Sequence, residues 1–541
     1  MTTASELPVL ISGAGPTGLT LALTLRRYGV PVRLIDRALA PTMVSKALAV
    51  WSGSLEALAG LGVMDKFIAA SKRLNAVRIG DGRRQLAALQ VGDGIDSPYP
   101  YPLLLPQRVT EAILAERGAE LGVTVERGVE LVAFTQDASG VTATLHHQNG
   151  GLETIRAAFL VGADGARSFV RQSLGIDFEG YTEPQTYLLG DVKIDGDLDH
   201  QSIYVWWHGG GTVALFPFEE TTWRIFAERP NNGGASPSDS ACTLEELQSH
   251  MTRHGPPNAK LYDPTWLSVF RINERLATRY RKGRVFLAGD ATHVHSPAGG
   301  QGMNTGIQDA INLGWKLAAV LRDRGETDLL LDSYEAERRP VARAVIAGAA
   351  QKLHASFASS GIARVLRDIA VSVVGNIPAA QRALQIELSE TEIAYHDGPL
   401  VSIGEQPRRW RRTDVGSRAR DARFNERETG AKTSLWPVLC GPHHTLLVFE
   451  EADRPLPLGD MADASGRAIV VLRLGPENDL DGDIRERYHV SPPGWVLIRP
   501  DQVVAARGGV GDLARLANYL DRVLKPQVRT AAPRPRDICT S

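Results

Sequence analysis

The feature that most constrains this chain is a glycine-rich turn near its start, Gly-Ala-Gly-Pro-Thr-Gly at 13–18. A short apolar run, Pro8–Ser12, precedes it, and a helical pattern, Leu19–Tyr28, follows. A second strand-like run at Val32–Ile35 comes next. This order predicts a strand, a phosphate-binding turn, a helix and a second parallel strand, which is the opening unit of a Rossmann-like domain.

Each glycine of the turn has a physical task. Gly13 would make the tight turn, Gly15 would let the backbone approach a pyrophosphate, and Gly18 would allow close packing of helix on sheet. Asp36 ends the second strand-like run, where a carboxylate accepts hydrogen bonds from a ribose and disfavours a 2′-phosphate. The pattern therefore predicts FAD or NAD rather than NADP as resident nucleotide, and the alternative is a glycine-rich turn without function.

Two later segments repeat the arrangement of a strand ending in glycine and aspartate. One ends at Asp164-Gly165 and the other at Gly289-Asp290. A carboxylate at the carboxyl end of a strand can bind a ribityl or ribose hydroxyl. After Asp290, a glycine-rich stretch leads to a predicted helix start at Gly302–Asn304, where free N–H groups and the helix dipole favour the negative charge of a reduced flavin ring. No second complete glycine motif is present, so we expect no dedicated nicotinamide domain.

Composition and charge exclude several other classes of protein. Lysine and arginine (60) nearly balance aspartate and glutamate (62), which does not suit a nucleic-acid or acidic-membrane binder. The three cysteines, Cys242, Cys440 and Cys539, form no Cys-x-x-Cys pair, so neither a disulfide framework nor a thiolate metal site is expected. His293 and His295 lack a third ligand at a suitable spacing, and no metal is predicted. Without a membrane-span or signal pattern, we expect a cytoplasmic protein.

The pattern along 541 residues predicts an α/β protein with several domains. We expect a Rossmann-like FAD-binding domain at 1–180, with an excursion near 76–97, and its second part, with long helices, at 271–400. Between them, alternating and aromatic-rich residues 181–270 predict an inserted antiparallel-sheet substrate domain. Residues 401–541 predict a separate C-terminal α/β domain that begins with an arginine-rich linker, 401–430, and ends in a loose tail.

These motifs together resemble the class A flavoprotein aromatic hydroxylases, the superfamily of para-hydroxybenzoate hydroxylase and phenol hydroxylase. The resemblance covers roughly residues 1–400 and includes Tyr-Glu-Ala-Glu-Arg-Arg-Pro at 334–340. Residues 494–505, Gly-Trp-Val-Leu-Ile-Arg-Pro-Asp-Gln-Val-Val-Ala, resemble the thioredoxin-like C-terminal domain of the larger members. Because that domain lacks Cys-x-x-Cys here, the resemblance implies packing or assembly rather than redox chemistry.

The resemblance assigns expected roles to individual residues. The turn Gly13–Gly18, including Pro16 and Thr17, would hold the pyrophosphate, and Asp36 with Arg37 would hold the adenosine. Gln107 and Asp290 would bind the ribityl chain from two sides. The set expected to bind the cofactor is Gly13, Gly15, Pro16, Thr17, Gly18, Asp36, Arg37, Lys46, Gln107, Asp164, Asp290, Gly302, Met303 and Asn304. Lys46 stands where relatives often carry arginine and so lacks the planar guanidinium.

The activity implied by the resemblance is hydroxylation of an aromatic, phenolic or polycyclic small molecule. FAD would be reduced by NADPH or NADH, and a flavin C4a-hydroperoxide formed with O2 would transfer one oxygen atom. The partners expected are the small aromatic substrate, O2 and NAD(P)H, with no nucleic acid and no membrane, and a homodimer is left open. The phenol hydroxylase branch places an aspartate base near position 48, where this chain has Leu48.

Candidate residues for the substrate lie in the aromatic middle segment. Tyr204 and Trp206 alternate with Trp207 and so share one strand face with His208, and this face is either a pocket wall or ordinary sheet packing. The predicted substrate residues are Tyr204, Trp206, Phe216 and Arg224, where Arg224 is either a ligand clamp or an edge-strand surface arginine. His208 is a candidate proton acceptor, and the Pro297 carbonyl would face the reacting ring.

Two other functions remain open at the level of sequence. A flavin-dependent halogenase shares the fold, but its Trp-x-Trp-x-Ile-Pro motif is missing, and a Baeyer–Villiger or epoxidising relative is compatible with the same motifs. A flavin-binding regulator is the alternative without catalysis, and substrate-dependent consumption of NAD(P)H separates it from an enzyme.

Overall fold

The computed structural model describes residues 7–525 with interruptions. The interruptions are residues 83, 93, 209–210, 220, 230–240, 298, 357–370, 373–374, 376, 402–412, 427–428, 452–454, 459–468 and 480. The chain divides into two units, one formed by residues 1–316 and 332–398 and the other by residues 317–331 and 399–541. In the described residues, no helix combines the length and the apolar character needed to cross a membrane.

The first unit is built on a six-stranded, mainly parallel sheet in the order β20-β21-β12-β1-β2-β8. Its strands are β1 (Val9–Ser12), β2 (Val32–Asp36), β8 (Val125–Arg127), β12 (Phe159–Gly162), β20 (Arg281–Lys282) and β21 (Val285–Leu287). β1, β12 and β21 are buried on both faces, as expected for central strands of a parallel sheet. β1 pairs with β2 and β12, and β12 pairs with β21, so the ends of all three predicted glycine motifs come to one edge of the sheet.

Helices surround this sheet and connect its strands. They are α1 (Pro16–Arg27), α2 (Ser52–Ala59), α3 (Met64–Ala70), α4 (Gln107–Glu120), α5 (Phe169–Ser173), α7 (Gly302–Leu321), α8 (Thr327–Ser356) and α9 (Pro378–Ser389). Because Pro16 is compatible with the first turn, α1 begins three residues earlier than the sequence pattern indicates. α8 continues through Pro340.

Three small sheets belong to the first unit. The first is antiparallel, with β9 (Val129–Gln136), β10 (Val141–His147) and β11 (Leu152–Ala157), and it packs on the parallel sheet through Val141, Ala143 and Leu145. The other two contain β3 (Ala49–Val50), β4 (Lys72–Arg73) and β7 (Leu103–Leu104), and β13 (Phe178–Thr182), β19 (Asn273–Ala277) and β22 (His293–Val294).

A seven-stranded sheet in the order β18-β14-β17-β16-β15-β5-β6 is the second large layer. Its strands are β5 (Ala76–Asp81), β6 (Arg84–Gln90), β14 (Thr186–Asp195), β15 (Ser202–His208), β16 (Gly211–Pro217), β17 (Thr222–Arg229) and β18 (Lys260–Phe270). The excursion near 76–97 supplies two of these strands. Within residues 181–270 all strand pairs are antiparallel, as predicted, and β5 of the excursion adds to this sheet by pairing with β15 in parallel.

The two faces of this sheet have different surroundings. Trp223, Ile225 and Ala227 of β17 point to the back face, which packs on α6 (Leu244–His254) through Leu247 and Met251. Residues that alternate with them, such as Arg224 and Phe226, point to the opposite side, which we call the front face.

The second unit contains a four-stranded sheet in the order β26-β25-β27-β28. Its elements are β23 (Arg423–Asn425), β24 (Lys432–Ser434), α10 (Trp436–Leu439), β25 (His444–Phe449), β26 (Ile469–Leu474), α11 (Asp483–Tyr488), β27 (Gly494–Ile498), β28 (Val504–Gly509) and α12 (Leu513–Val523). Residues 413–420 are all buried, so the linker predicted at 401–430 is wrong for this part. They are held by backbone bonds such as Ala419 N to Gln502 O (2.7 Å). The predicted tail, from residue 526 onward, and residues 402–412 of the predicted arginine-rich linker lie outside the described residues.

Candidate active site

The turn at 13–18 shows which glycines the protein itself needs. Gly13 has φ +106°, and a Cβ there would overlap the carbonyl oxygen of Ala163. A Cβ on Gly18 would overlap the carbonyl oxygen of Gly13. A Cβ on Gly15 would meet nothing closer than Glu111 Oε1 at 4.0 Å. Gly13 and Gly18 are therefore required by packing, whereas the space beside Gly15 suits a ligand.

The start of α1 at this turn is open to an anion. Gly15 is the N-cap and provides no side-chain acceptor, and the first turn of α1 has no acidic residue. The free N–H groups of such a helix start and the helix dipole favour a phosphate. Thr17 points elsewhere, because its Oγ1 lies 2.5 Å from the Cβ positions that residues at Gly289 and Gly306 would occupy. Its side chain thus packs the first motif against the third.

Asp36 is anchored at the end of β2. Its Oδ2 accepts a hydrogen bond from Ala14 N (2.8 Å) and its Oδ1 accepts one from Ala38 N (2.8 Å). Arg127 Nη1 is 3.5 Å from Oδ2. The carboxylate therefore holds the phosphate-binding turn and still has lone pairs for a ribose. Arg37 is exposed.

Gln107 and Glu111 lie one turn apart at the start of α4. Gln107 Oε1 accepts a hydrogen bond from Ala47 N (3.2 Å), and its Nε2 donates to Glu111 Oε1 (2.8 Å). Burial raises the pKa of the Glu111 carboxyl, against the effects of Gln107 and of the Arg127 and Lys46 cations. Glu111 was not predicted from sequence, although its i, i+4 spacing from Gln107 is a signal that could have indicated it.

Asp290 lies in the short 3-10 turn Gly289–Ala291. Its side chain is accessible, yet surrounding protein excludes bulk water and raises the pKa of its carboxyl, opposed by His293 and Lys46. An accessible carboxyl with a raised pKa faces a cavity rather than the outer surface. The Lys46 cation opposes the rise in the pKa of both Asp290 and Glu111, so two predicted cofactor residues, Lys46 and Asp290, lie close to each other, and Lys46 also lies close to Glu111.

The two carboxylate oxygens of Asp164 differ, because only one of them accepts a hydrogen bond from a described residue. Its Oδ2 accepts a hydrogen bond from Val170 N (3.1 Å) at the start of α5. Its Oδ1 is buried and has no hydrogen-bond partner in the described part of the chain. A Cβ on the adjacent Gly165 would meet nothing within 4 Å. An orphaned buried acceptor beside open space fits a ligand hydroxyl.

The start of α7 is organised by Asn304, which is fully buried. Its Oδ1 accepts a hydrogen bond from Trp51 N (2.8 Å), and its Nδ2 donates to Ala49 O (2.9 Å) and Gly300 O (2.8 Å). The side chain is thus occupied by protein, and only backbone N–H groups here remain for a flavin. Met303 and Gly302 are half-buried, and the first turn of α7 contains no acidic residue.

Trp51 and Glu390 support the same region and were not predicted. Trp51 Nε1 donates to Gly299 O (2.9 Å), next to the exposed Pro297, whose carbonyl accepts from Gly300 N (2.9 Å). Glu390 accepts from Gln308 Nε2 (2.5 Å), and burial raises its pKa to about 8. No sequence pattern marks Glu390, because it follows α9 and meets α7 only in the tertiary structure.

The register of the seven-stranded sheet places the front-face side chains in three rows. The first row is Trp266, Asp191, Arg224, Phe216, Ile203, Val77 and Leu89. The second is Ser268, Leu189, Phe226, Ala214, Val205, Ile79 and Ala87. The third is Phe270, Tyr187, Glu228, Thr212, Trp207, Asp81 and Arg84. The first row meets Leu48, Ala49 and Trp51, and so lies beside the start of α7.

Arg224 is buried on a central strand, so the interpretation as an edge-strand surface arginine is wrong. Its Nε and Nη2 donate to the two oxygens of Asp191 (both 2.8 Å), and its Nη1 donates to Lys46 O (3.3 Å). Its guanidinium carbon is 4.6 Å from the centre of the Phe218 ring. A guanidinium with these commitments fixes Lys46 and leaves no free fork for a substrate carboxylate.

Tyr204 and Trp206 share a face, as predicted, but it is the back face. Both rings pack in the core with α6. Tyr204 Oη accepts a hydrogen bond from Asp199 N (2.8 Å), and Trp206 Nε1 donates to Gly82 O (2.6 Å). Their assignment to the substrate is therefore corrected to core packing. Of the four predicted substrate residues, Phe216 and Arg224 point to the front face, where Phe216 packs against two apolar clusters.

His208 is also corrected. It follows Trp206 on the same back-facing alternation, its side chain is 58% exposed, and its Nδ1 is 3.1 Å from Asp81 Oδ1. Its carbonyl contacts His254 Nδ1 of α6 (2.5 Å). His208 is five residues along β15 from Ile203 of the first row, about 16 Å, so it does not reach the front face beside α7.

Comparisons with known proteins agree with this geometry. Residues 6–349 match the family model described as an FAD binding domain. The 6-methylpretetramide 4-monooxygenase of Streptomyces rimosus is 36% identical over 530 residues, which cover 92% of this chain and 90% of the relative. Pentachlorophenol 4-monooxygenase of Sphingobium chlorophenolicum is 31% identical over 547 residues, 96% of this chain and 97% of the relative. Aklavinone-11 hydroxylase, solved with FAD and aklavinone, has a TM-score of 0.79, 27% identity, and coverage of 96% and 98%.

Proposed function

The chain belongs to the FAD-binding-domain family and is a class A FAD-dependent aromatic hydroxylase, and on that premise we propose that it oxidises a polycyclic phenol held against the front face of the seven-stranded sheet. The proposal rests on the apolar and aromatic character of the front face. Its first two rows are apolar and aromatic apart from the Asp191–Arg224 pair and Ser268, and they begin beside Trp51.

The residues described above fit FAD. The open turn at Gly15 would hold the pyrophosphate, Asp36 a ribose, and Asp290 with Gln107 the ribityl chain. The free oxygen of Asp164 offers a further acceptor. Backbone N–H groups at the start of α7 would stabilise negative charge on the ring. When bound, FAD would accept two electrons from NAD(P)H and then activate O2 for the transfer of one oxygen atom to the substrate.

The size of the front face favours a substrate with several fused rings. Tyr187 and Phe226, both buried, stack at 5.1 Å, and Phe270 lies 5.9 Å from Phe226, so aromatic rings pack together in the second and third rows. Arg224 and Glu228 are four residues apart on one strand, which is about 13 Å. A single phenol ring cannot contact both ends of that span, whereas a linear polycycle can.

The protein does not supply the aspartate base of the phenol hydroxylase branch. Leu48 is buried among apolar residues, and His208 is on the other side of the sheet. We therefore propose that the phenol binds already ionised or loses its proton to water. The Pro297 carbonyl stays a proposed contact to the reacting ring, since a carbonyl that accepts from Gly300 keeps a second lone pair.

The test is oxidation of NADH and NADPH by the FAD-loaded protein with three probes, aklavinone, pentachlorophenol and 4-hydroxybenzoate, with product mass spectrometry. We expect oxygenated product with the polycycle and the lowest coupling with 4-hydroxybenzoate, because the committed Arg224 provides no carboxylate clamp. Tight coupling with 4-hydroxybenzoate and none with aklavinone would contradict the proposal.

A further inference from the structure

Glu228 differs from the other acids on the front face. Asp191 is paired with Arg224, and Asp81 contacts His208. The Glu228 side chain, in contrast, is half-buried, and no residue in the described part of the chain forms a hydrogen bond or ion pair with its carboxyl group. Burial alone raises the pKa of its carboxyl.

Aromatic side chains surround Glu228, which is not the environment of an ordinary solvated surface carboxylate. Tyr187 lies directly across from it on β14, and Phe226 precedes it on the same face. Phe270 lies beside Tyr187 with ring centres 6.0 Å apart. A carboxyl set among aromatic rings loses hydration and gains no protein partner in return. A ligand that donates a hydrogen bond to the carboxyl group would offset the free energy lost by its desolvation.

We propose that Glu228 determines substrate specificity by accepting a hydrogen bond from a hydroxyl, amide or ammonium group at the end of the polycycle remote from Trp51. The inference rests on the proposed function, because it requires the substrate to lie along the front face. A carboxylate at that end of the substrate is excluded, since two negative charges in a partly buried site repel each other. Glu228 is a positioning residue and touches the substrate far from the ring that is oxidised.

The experiment uses a matched pair of probes, a dihydroxyanthraquinone carboxylic acid and its carboxamide. They have the same rings and nearly the same shape and differ in charge. Their dissociation constants are measured by the change in flavin absorbance with the FAD-loaded protein. For the wild type we expect the carboxamide to bind at least about tenfold more tightly than the acid.

Glu228→Gln is the test variant, because it keeps the shape and removes the charge. We expect it to bring the ratio of the two dissociation constants within about threefold of unity, with unchanged FAD content. Glu245→Gln is the matched control, since Glu245 is exposed on α6, behind the same sheet. It removes an identical charge and should leave the ratio as in the wild type.

Several results overturn the inference. They are an unchanged ratio in Glu228→Gln, an equal change in Glu245→Gln, and failure of both probes to bind the FAD-loaded wild type. Its failure is distinguishable from failure of the proposed function. Hydroxylation of the carboxamide with no effect of Glu228→Gln removes only the role of Glu228. Selective binding without any oxygenated product removes only the proposed reaction.

Discussion

Two regions of the first unit differ in how they would hold a ligand. One is the edge of the parallel sheet where the motifs at Gly13, Asp164 and Gly289 meet, which we call the flavin edge, and the other is the front face of the seven-stranded sheet. At the flavin edge, glycines and backbone N–H groups form most of the surface open to a ligand, and the Asn304 side chain forms hydrogen bonds with three backbone groups of the protein. On the front face, side chains form the surface, because the backbone N–H and C=O groups form hydrogen bonds between paired strands. The first region is therefore sensitive to added atoms, and the second is sensitive to changed chemistry.

The largest effect is expected from adding one methyl group at the flavin edge. Gly18→Ala places a Cβ into the Gly13 carbonyl, and the backbone of both the turn and α1 would have to move. We expect protein without FAD and a loss of several kcal/mol in the free energy of unfolding. Gly15→Ala is the matched control, because its Cβ meets no protein atom closer than 4.0 Å and should permit folding. Thermal melting and FAD content check both, and equal melting of the two variants would contradict the distinction.

On the front face, the corresponding test removes a charge rather than adding a methyl group. Arg224→Met keeps the length of the side chain but leaves Asp191 as an unpaired buried charge. We expect a loss of about 3–5 kcal/mol in the free energy of unfolding, measured with urea. The double variant Arg224→Met with Asp191→Leu should recover most of that loss. If the double variant is no more stable than the single one, the pair is not the source of the effect.

Asp290→Ala is expected to have an intermediate effect confined to the cofactor. Removal of an acceptor that faces the cavity should weaken FAD binding by about 1–3 kcal/mol and leave the apoprotein nearly as stable as before. FAD affinity is measured by fluorescence titration. Asp65→Ala on the exposed side of α3 serves as the control. A colourless wild type that binds no added FAD would refute the assignment of the whole edge.

Glu390 gives the flavin edge a pH dependence of its own. Its folded pKa of about 8 lies above the ordinary value of 4.5. The unfolded state therefore releases a proton at lower pH than the folded state does. The contribution of the protonated carboxyl to stability is complete below pH 4.5 and is lost as pH rises through 8.

Glu390→Gln should remove this dependence. We expect the variant to gain in stability relative to the wild type between pH 5 and 8, by an amount that grows with pH. Urea unfolding at several pH values measures the difference. Parallel stability curves for the two proteins would show that Glu390 does not titrate in this way.

The smallest effect is expected from Tyr204→Phe on the back face. It removes one hydrogen bond, from Asp199 N, and should cost about 1 kcal/mol of stability. Because the ring packs against α6, we expect no change in the KM for aklavinone beyond twofold. Phe216→Leu on the front face is the contrasting variant and should raise that KM. A larger effect on KM from Tyr204→Phe would return this residue to the pocket.

The same contrast explains what the sequence could predict. The three glycine-rich strand ends were predictable because Gly13 and Gly18 act through local backbone geometry and Asp290 closely follows a strand, so each leaves a fixed spacing in the sequence. The alternation at 204–208 correctly grouped Tyr204 with Trp206. Alternation cannot say which of two faces meets a helix, because that depends on where α6, from a distant segment, packs. For the same reason Arg224 was misjudged as an edge residue, and Glu228 carried no signal at all.

Thr17, wedged between Gly289 and Gly306, links positions more than 270 residues apart in the chain. β1 likewise pairs with β12 only about 150 residues later in the chain, and β12 pairs with β21 after about 125 more. Closing such long loops is entropically unfavourable and slows folding. The nucleotide pocket therefore cannot exist until the inserted sheet between those strands has been synthesised and its ends brought together. Uptake of FAD by a refolding chain, seen as a yellow colour, would therefore report that β1, β12 and β21 have come together.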